Sequence, residues 1–108
     1  MTDETASDPS GILGEDRSLL LVEDDRPFLT RLARAMESRG FQVDTADSVE
    51  EALAKVKAAA PAYAVVDMRL GDGNGLDVVA AIREKREDAR TVILTGYGNI
   101  ATAVTAVK

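Results

Sequence analysis

Apolar residues recur along this chain in two rhythms. Short solid runs, Leu19-Leu20-Leu21-Val22, Tyr63-Ala64-Val65-Val66 and Val92-Ile93-Leu94, stand between acidic, Gly or Pro breaks. Runs of that length, rich in β-branched residues, predict strands buried on both faces, as in a parallel sheet. Phe41-Gln42-Val43-Asp44-Thr45-Ala46 instead alternates with period two, the pattern of a half-exposed edge strand. Helical spacing fills the gaps: Leu29, Leu32, Ala33 and Met36 form one predicted face, Val49, Ala52, Leu53 and Val56 a second, and Leu76, Val79, Ala80 and Ile82 a third. The ends of these helices are marked. Pro27 fits a first turn and Gly40 a stop; Ser48-Val49-Glu50-Glu51 is a capping box, closed off by Pro61; the third helix begins near Gly75 and runs out in Arg83-Glu84-Lys85-Arg86-Glu87-Asp88. After a strand over 91–95 and Gly96-Tyr97-Gly98, Asn99 can cap a fourth helix with Ile100, Val104 and Val107 as its face, still running at Lys108.

Strands and helices taking turns in this way predict an α/β fold: a parallel sheet with right-handed crossovers and helices on both faces. At 108 residues and 45% hydrophobic content the chain suffices for one domain with a modest core. No apolar run approaches the ~18 residues of a membrane span, and the start lacks a basic and apolar leader, so a soluble, cytoplasmic segment without membrane contact is expected. The absence of Cys rules out disulfides, thiol redox switching and zinc–thiolate sites within these residues; the absence of His removes the usual general base and any phosphohistidine role. The net charge of −6 is concentrated at the start, where Asp3, Glu4, Asp8, Glu15 and Asp16 face no base. Residues 1–16 hold too little apolar content to repay ordering and are expected to be a disordered acidic tail, with the domain itself at 17–108. The remainder is nearly balanced and carries no basic nucleic-acid footprint.

The candidate chemistry lies where strands stop. Asp67 ends the third strand just before Gly71-Asp72-Gly73-Asn74-Gly75, and the first strand runs into Glu23-Asp24-Asp25. Taken alone, Asp67 could simply cap a turn. In open parallel sheets, however, the carboxyl edge is where ligands bind. If the two strands are neighbours, Glu23, Asp24 and Asp67 meet there, a repulsion of several kcal/mol unless a cation neutralises it or one acid holds a proton. Oxygen-only donors point to Mg2+, an ion that commonly shares its site with phosphate oxygens. Thr95 ends the fourth strand, followed by the small Gly96. A carboxylate beside Mg2+ can attack a phosphoryl group, and a neighbouring hydroxyl can hydrogen-bond the product.

An acidic pair after strand one, Asp67 after strand three and Thr95 after strand four together make residues 18–108 resemble the receiver domain of bacterial two-component response regulators. The resemblance implies a flavodoxin-like, doubly wound parallel sheet of strand order 2-1-3-4. It also implies that Asp67 accepts phosphate from a phosphohistidine on a sensor histidine kinase. Asp24 and Asp67 would bind Mg2+ directly with the backbone carbonyl of Arg69, Glu23 through water, and Thr95 would sense the phosphoryl group. Arg69 and Tyr97 would flank the mouth and tune phosphate lifetime; Asp25 matches no essential role. Leu94-Thr95-Gly96-Tyr97-Gly98-Asn99-Ile100-Ala101-Thr102-Ala103-Val104, with Pro27-Phe28-Leu29, is similar to the RegA/PrrA/ActR group of redox regulators, whose members carry a DNA-binding domain after the receiver. The activity expected is therefore signalling rather than enzymatic, beyond self-phosphorylation from a donor and autodephosphorylation.

The family pattern continues with a fifth strand bearing a Lys-Pro pair and an aromatic switch residue, then a fifth helix. None of these occurs in this sequence, so the domain is expected to stop within or just after helix four. DNA contact would come only through a domain outside it. The exposed edge at 91–95 would favour a homodimer or segment-exchanged oligomer. A dehalogenase-like phosphatase would need a second Asp where Arg69 stands, and a flavin module would need a phosphate loop where Glu23-Asp24-Asp25 would repel one. The remaining alternative is a receiver-shaped interaction module that works without phosphorylation.

Overall fold

Among the described residues, three helices and four strands of a five-stranded sheet are built from the periodicities above. The computed structural model describes residues 16–94 and the backbone of 104–107. In chain order the elements are β1 (Ser18–Val22), α1 (Arg26–Glu37), β2 (Gln42–Ala46), α2 (Val49–Ala58), β3 (Tyr63–Asp67), β4 (Arg69–Leu70), β5 (Gly73–Asn74), α3 (Gly75–Lys85), β6 (Arg90–Leu94) and β7 (Val104–Val107). The main sheet runs β2-β1-β3-β6-β7. Its first four strands are parallel, so the order expected of strands one to four is the one found. No helix among the described residues is long and apolar enough to cross a membrane.

Helix boundaries follow local chemistry. Asp25 caps α1 by accepting the Phe28 N–H at 3.2 Å, with Pro27 in the first turn. Gly40 ends the connection with φ of 97°, a backbone that side chains resist. Ser48 caps α2 by accepting the Glu51 N–H at 3.0 Å. Asn74 caps α3 by accepting from Leu76 at 2.8 Å.

The sheet separates two apolar layers. Leu20 and Val22 of β1 and Ala64 and Val66 of β3 face α2 and α3, meeting Val49, Ala52, Val56, Val78, Val79 and Ile82. Leu19 and Leu21 point the other way, onto Leu29 of α1, with Leu32, Met36, Phe41 and Tyr63 packed around them. Phe41 and Tyr63 meet edge to face, ring centres 5.3 Å apart.

Several expectations need correction. Leu53 and Leu76 are 37% and 43% exposed, and Ala80 is exposed too; the buried face of α3 is Val78, Val79 and Ile82. Asp16, at the end of the expected tail, accepts the Ser18 N–H at 2.9 Å and pairs with Arg86 at 2.8 Å. The expected fourth helix does not extend over Val104–Val107, which instead pair antiparallel with β6, Leu94 opposite Val104 and Thr91 opposite Val107. Val and Thr suit a pleated strand as readily as a helical stripe, and the unpaired edge of β6 offers hydrogen-bond partners that a helix would leave unmet. The remainder of that predicted helix, and the rest of the acidic tail, lie outside the described residues.

Candidate functional site

The register of β1 on β3 builds the site. Val22 pairs with Val66, so the residues that follow, Glu23 and Asp67, leave the sheet side by side at its carboxyl edge. Glu23, Asp24 and Asp67 each bring a carboxylate oxygen within 4.8 Å of the others. Glu23 is only 8% exposed, Asp67 is half-buried and Asp24 faces solvent. They open onto a cleft of about 500 Å³ whose wall also includes Asp25, Arg69, Leu70 and Gly71.

Each of the three acids is held by a backbone donor. Glu23 Oε2 accepts the Asp25 N–H at 3.0 Å, Asp24 Oδ2 accepts the Gly71 N–H at 3.1 Å, and Asp67 Oδ1 accepts the Arg69 N–H at 3.3 Å. Asp25 spends its carboxylate on the cap of α1, which accounts for the third acid of the triplet.

Electrostatics divide the acids. Burial pushes Glu23 up to about 7, and the negative Asp67 beside it adds to the rise, against the pull of the Asp25 N–H. Burial also raises Asp67, while the bond from the Arg69 N–H and a hydrogen bond with Glu23 act to lower it. Both acids are thus held above the ordinary carboxyl range, Glu23 being the more buried of the two. A cation held among these oxygens would favour the ionised form of both acids. Carboxylate oxygens are the donors the cluster offers, in a chain without His or Cys, and this set suits a hard divalent ion.

Backbone packing fixes Asp67 from below. A Cβ on Gly75 would lie 2.1 Å from the Asp67 carbonyl oxygen and 2.8 Å from Val66 Cγ1, so only glycine lets α3 start this close to β3. The Gly75 N–H donates to the Met68 carbonyl at 2.8 Å. On the other side Leu94 is the register partner of Asp67, and its carbonyl accepts the Met68 N–H at 3.1 Å. Thr95 and Tyr97 lie outside the described residues.

Two features escaped the sequence reading. The glycine-rich stretch is a small antiparallel hairpin, Arg69 paired with Asn74 and Leu70 with Gly73. At its turn, Asp72 accepts N–H groups from Val49 at 2.8 Å and Glu50 at 3.0 Å, at the start of α2. The turn-forming pair Gly71-Asp72 was the available signal for the hairpin; nothing local in the sequence points to the partner helix.

Residues 19–108 match the response regulator receiver domain family. The chain belongs to that family. The receiver is 69% identical over 96 residues to the photosynthetic apparatus regulatory protein RegA of Cereibacter sphaeroides, covering 89% of this chain and 52% of RegA. It is 63% identical over 97 residues to the acid tolerance regulatory protein ActR of Sinorhizobium medicae, covering 90% of this chain and 50% of ActR. These identities bear out the resemblance to the RegA and ActR group, and the receiver spans about half the length of these relatives. Among solved structures it is similar to a response regulator from Burkholderia pseudomallei with a phosphorylated aspartic acid, calcium ion and citrate. That likeness has a TM-score of 0.71 at 36% identity, over 79% of this chain and 50% of the other. TrrA from Thermotoga maritima, solved in complex with Mg2+-BeF, gives a TM-score of 0.68 at 30% identity, over 76% of this chain and 71% of TrrA.

Proposed function

We propose that the receiver takes a phosphoryl group onto Asp67 from a phosphohistidine of a sensor histidine kinase, with Mg2+ held by Asp24, Asp67 and the Arg69 carbonyl and by Glu23 through water. The observation that carries this reading is the convergence of the three carboxylate oxygens within 4.8 Å at the ends of β1 and β3. Bound Mg2+ would neutralise charge on the incoming phosphoryl oxygens. The chain's own residues supply the rest. Asp67 is the nucleophile, and the Arg69 N–H on its Oδ1 at 3.3 Å favours its ionised form. One oxygen of Asp67 forms the new bond to phosphorus as the phosphorus–nitrogen bond of the donor breaks, with the electron pair leaving on the imidazole. Thr95 would then hydrogen-bond the acyl phosphate. Turnover is limited to loss of that phosphate to water, with Arg69 and Tyr97 setting its rate.

Since RegA and ActR are about twice as long as this chain, the phosphorylated receiver would act on a DNA-binding domain outside this sequence. It would work in the cytoplasm, as a homodimer; the β6 edge, on which segment exchange was expected to act, is covered by β7. The NtrC4 receiver activated by beryllofluoride is a dimer in its solution structure, at 28% identity and a TM-score of 0.68 to this chain.

The test is intact mass after incubation of the full-length protein with Mg2+ and acetyl phosphate. One phosphate is expected on the parent and none on Asp67→Asn. An adduct that persists in Asp67→Asn would overturn the assignment of the nucleophile.

A further inference from the structure

The β4–β5 hairpin stands between the end of β3 and the start of α3, and it is anchored away from both. Asp72 at its turn grips the first turn of α2 with both oxygens: Oδ1 accepts the Val49 N–H at 2.8 Å and Oδ2 the Glu50 N–H at 3.0 Å. Helix starts carry unpaired N–H groups, and Ser48 satisfies a different one, that of Glu51. The hairpin is also seated by Leu70, buried in the core, and by Gly73, where a Cβ would meet Val49 Cγ2 at 3.2 Å. On its opposite side the neighbouring residue, Gly71, donates its N–H to Asp24 Oδ2 at 3.1 Å. A continuous line of contacts thus runs from α2 through Asp72 and Gly71 to an acid of the site.

We propose that Asp72 is a positioning residue for the cation site: its two-oxygen grip on α2 fixes the hairpin so that the Gly71 N–H holds the Asp24 carboxylate in its place beside Asp67. The inference rests on the reading of Glu23, Asp24 and Asp67 as a Mg2+ site. Asp24 is exposed, so its side chain has rotamers to choose among, and a fixed donor selects one of them. A carboxylate is the side chain for this task because it offers two acceptors at the spacing of adjacent N–H groups, whereas an amide offers one.

The full-length protein distinguishes positioning from plain helix capping. Asp72→Ala is expected to weaken Mg2+ binding, measured by calorimetric titration with MgCl2, by about tenfold. It is also expected to speed amide exchange at Gly71. Asp72→Asn, which keeps one acceptor, should fall between it and the parent. Ser48→Ala removes a cap of the same helix that does not touch the hairpin; it should lower the melting temperature but leave Mg2+ affinity and Gly71 exchange as in the parent. If Asp72→Ala lowers the melting temperature yet keeps parental Mg2+ affinity and Gly71 protection, Asp72 is a cap only and the proposal is overturned. A parent that binds no Mg2+ overturns the reading of the site itself, and this role with it; a parent that binds normally beside an unaffected Asp72→Ala overturns only this role.

Discussion

Glu23 sets the pH response of the metal-free protein. Its folded pKa of about 7 lies above the ordinary 4.5, so the folded chain holds this proton more tightly than the unfolded chain does. The resulting stabilisation is fully present below about pH 4.5 and is lost as pH rises through 7. With chelator present, the unfolding free energy should fall by up to about 3 kcal/mol across that window, and the fall should shrink in Glu23→Gln. Chemical denaturation at a series of pH values measures both. A slope that Glu23→Gln leaves intact would assign the effect to other groups. Saturating Mg2+ at pH 7.5 should restore what the parent lost. Gly75 acts on the same site by shape. The methyl of Gly75→Ala would have to displace the Asp67 carbonyl, so a loss of about 1–3 kcal/mol in stability is expected, with slower phosphorylation of Asp67. Parental denaturation midpoints in this variant would mean that β3 and α3 move apart at no cost.

At the scale of elements, strand runs were more legible than helix faces. A solid apolar run such as Leu19 to Val22 has one reading, because both faces of an inner strand are covered. A helical stripe has an angular width, and a sequence does not say which flank of it meets the sheet. That is why Leu76 and Ala80 were expected inside while Val78, between them, is the fully buried one. Ile82→Ala should accordingly cost about 2–5 kcal/mol, and Leu76→Ala less than about 1 kcal/mol. Comparable losses from the two would show that the face is drawn wrongly. The acids were legible for a different reason: Glu23, Asp24 and Asp67 sit at strand ends, and strand ends in a parallel sheet share an edge. Asp72 was not, because its meaning lies in a helix it reaches only after folding. Val104 to Val107 were misread because valine spacing there satisfies a helix while strand pairing with β6 satisfies the backbone.

For the whole molecule, the parallel order of the first four strands follows from the alternation of strand and helix, whereas the division of the core follows from alternation within single strands. β1 sends Leu20 and Val22 to one layer and Leu19 and Leu21 to the other. These layers are unequal. Toward α2 and α3, six helical side chains are buried against the sheet; toward α1, Leu29 is the only described helical residue buried to that degree, with partly covered Leu32, Ala33 and Met36 around it. The consequence belongs to time rather than to space. The two sides should not come undone together: α1 should lift from the sheet in brief excursions during which α2, α3 and the strands stay assembled. Backbone amides of α1 should then trade their protons for deuterium sooner than those of α3, and α3 should exchange near the rate of global unfolding. If α3 exchanged first, the larger layer would not be the one that holds the molecule closed. Asp25, which ties the start of α1 to the loop of acids, would travel with that helix, so the opening of the thin side would be felt at the carboxyl edge of β1 as a flicker in the bond between the Asp25 N–H and Glu23.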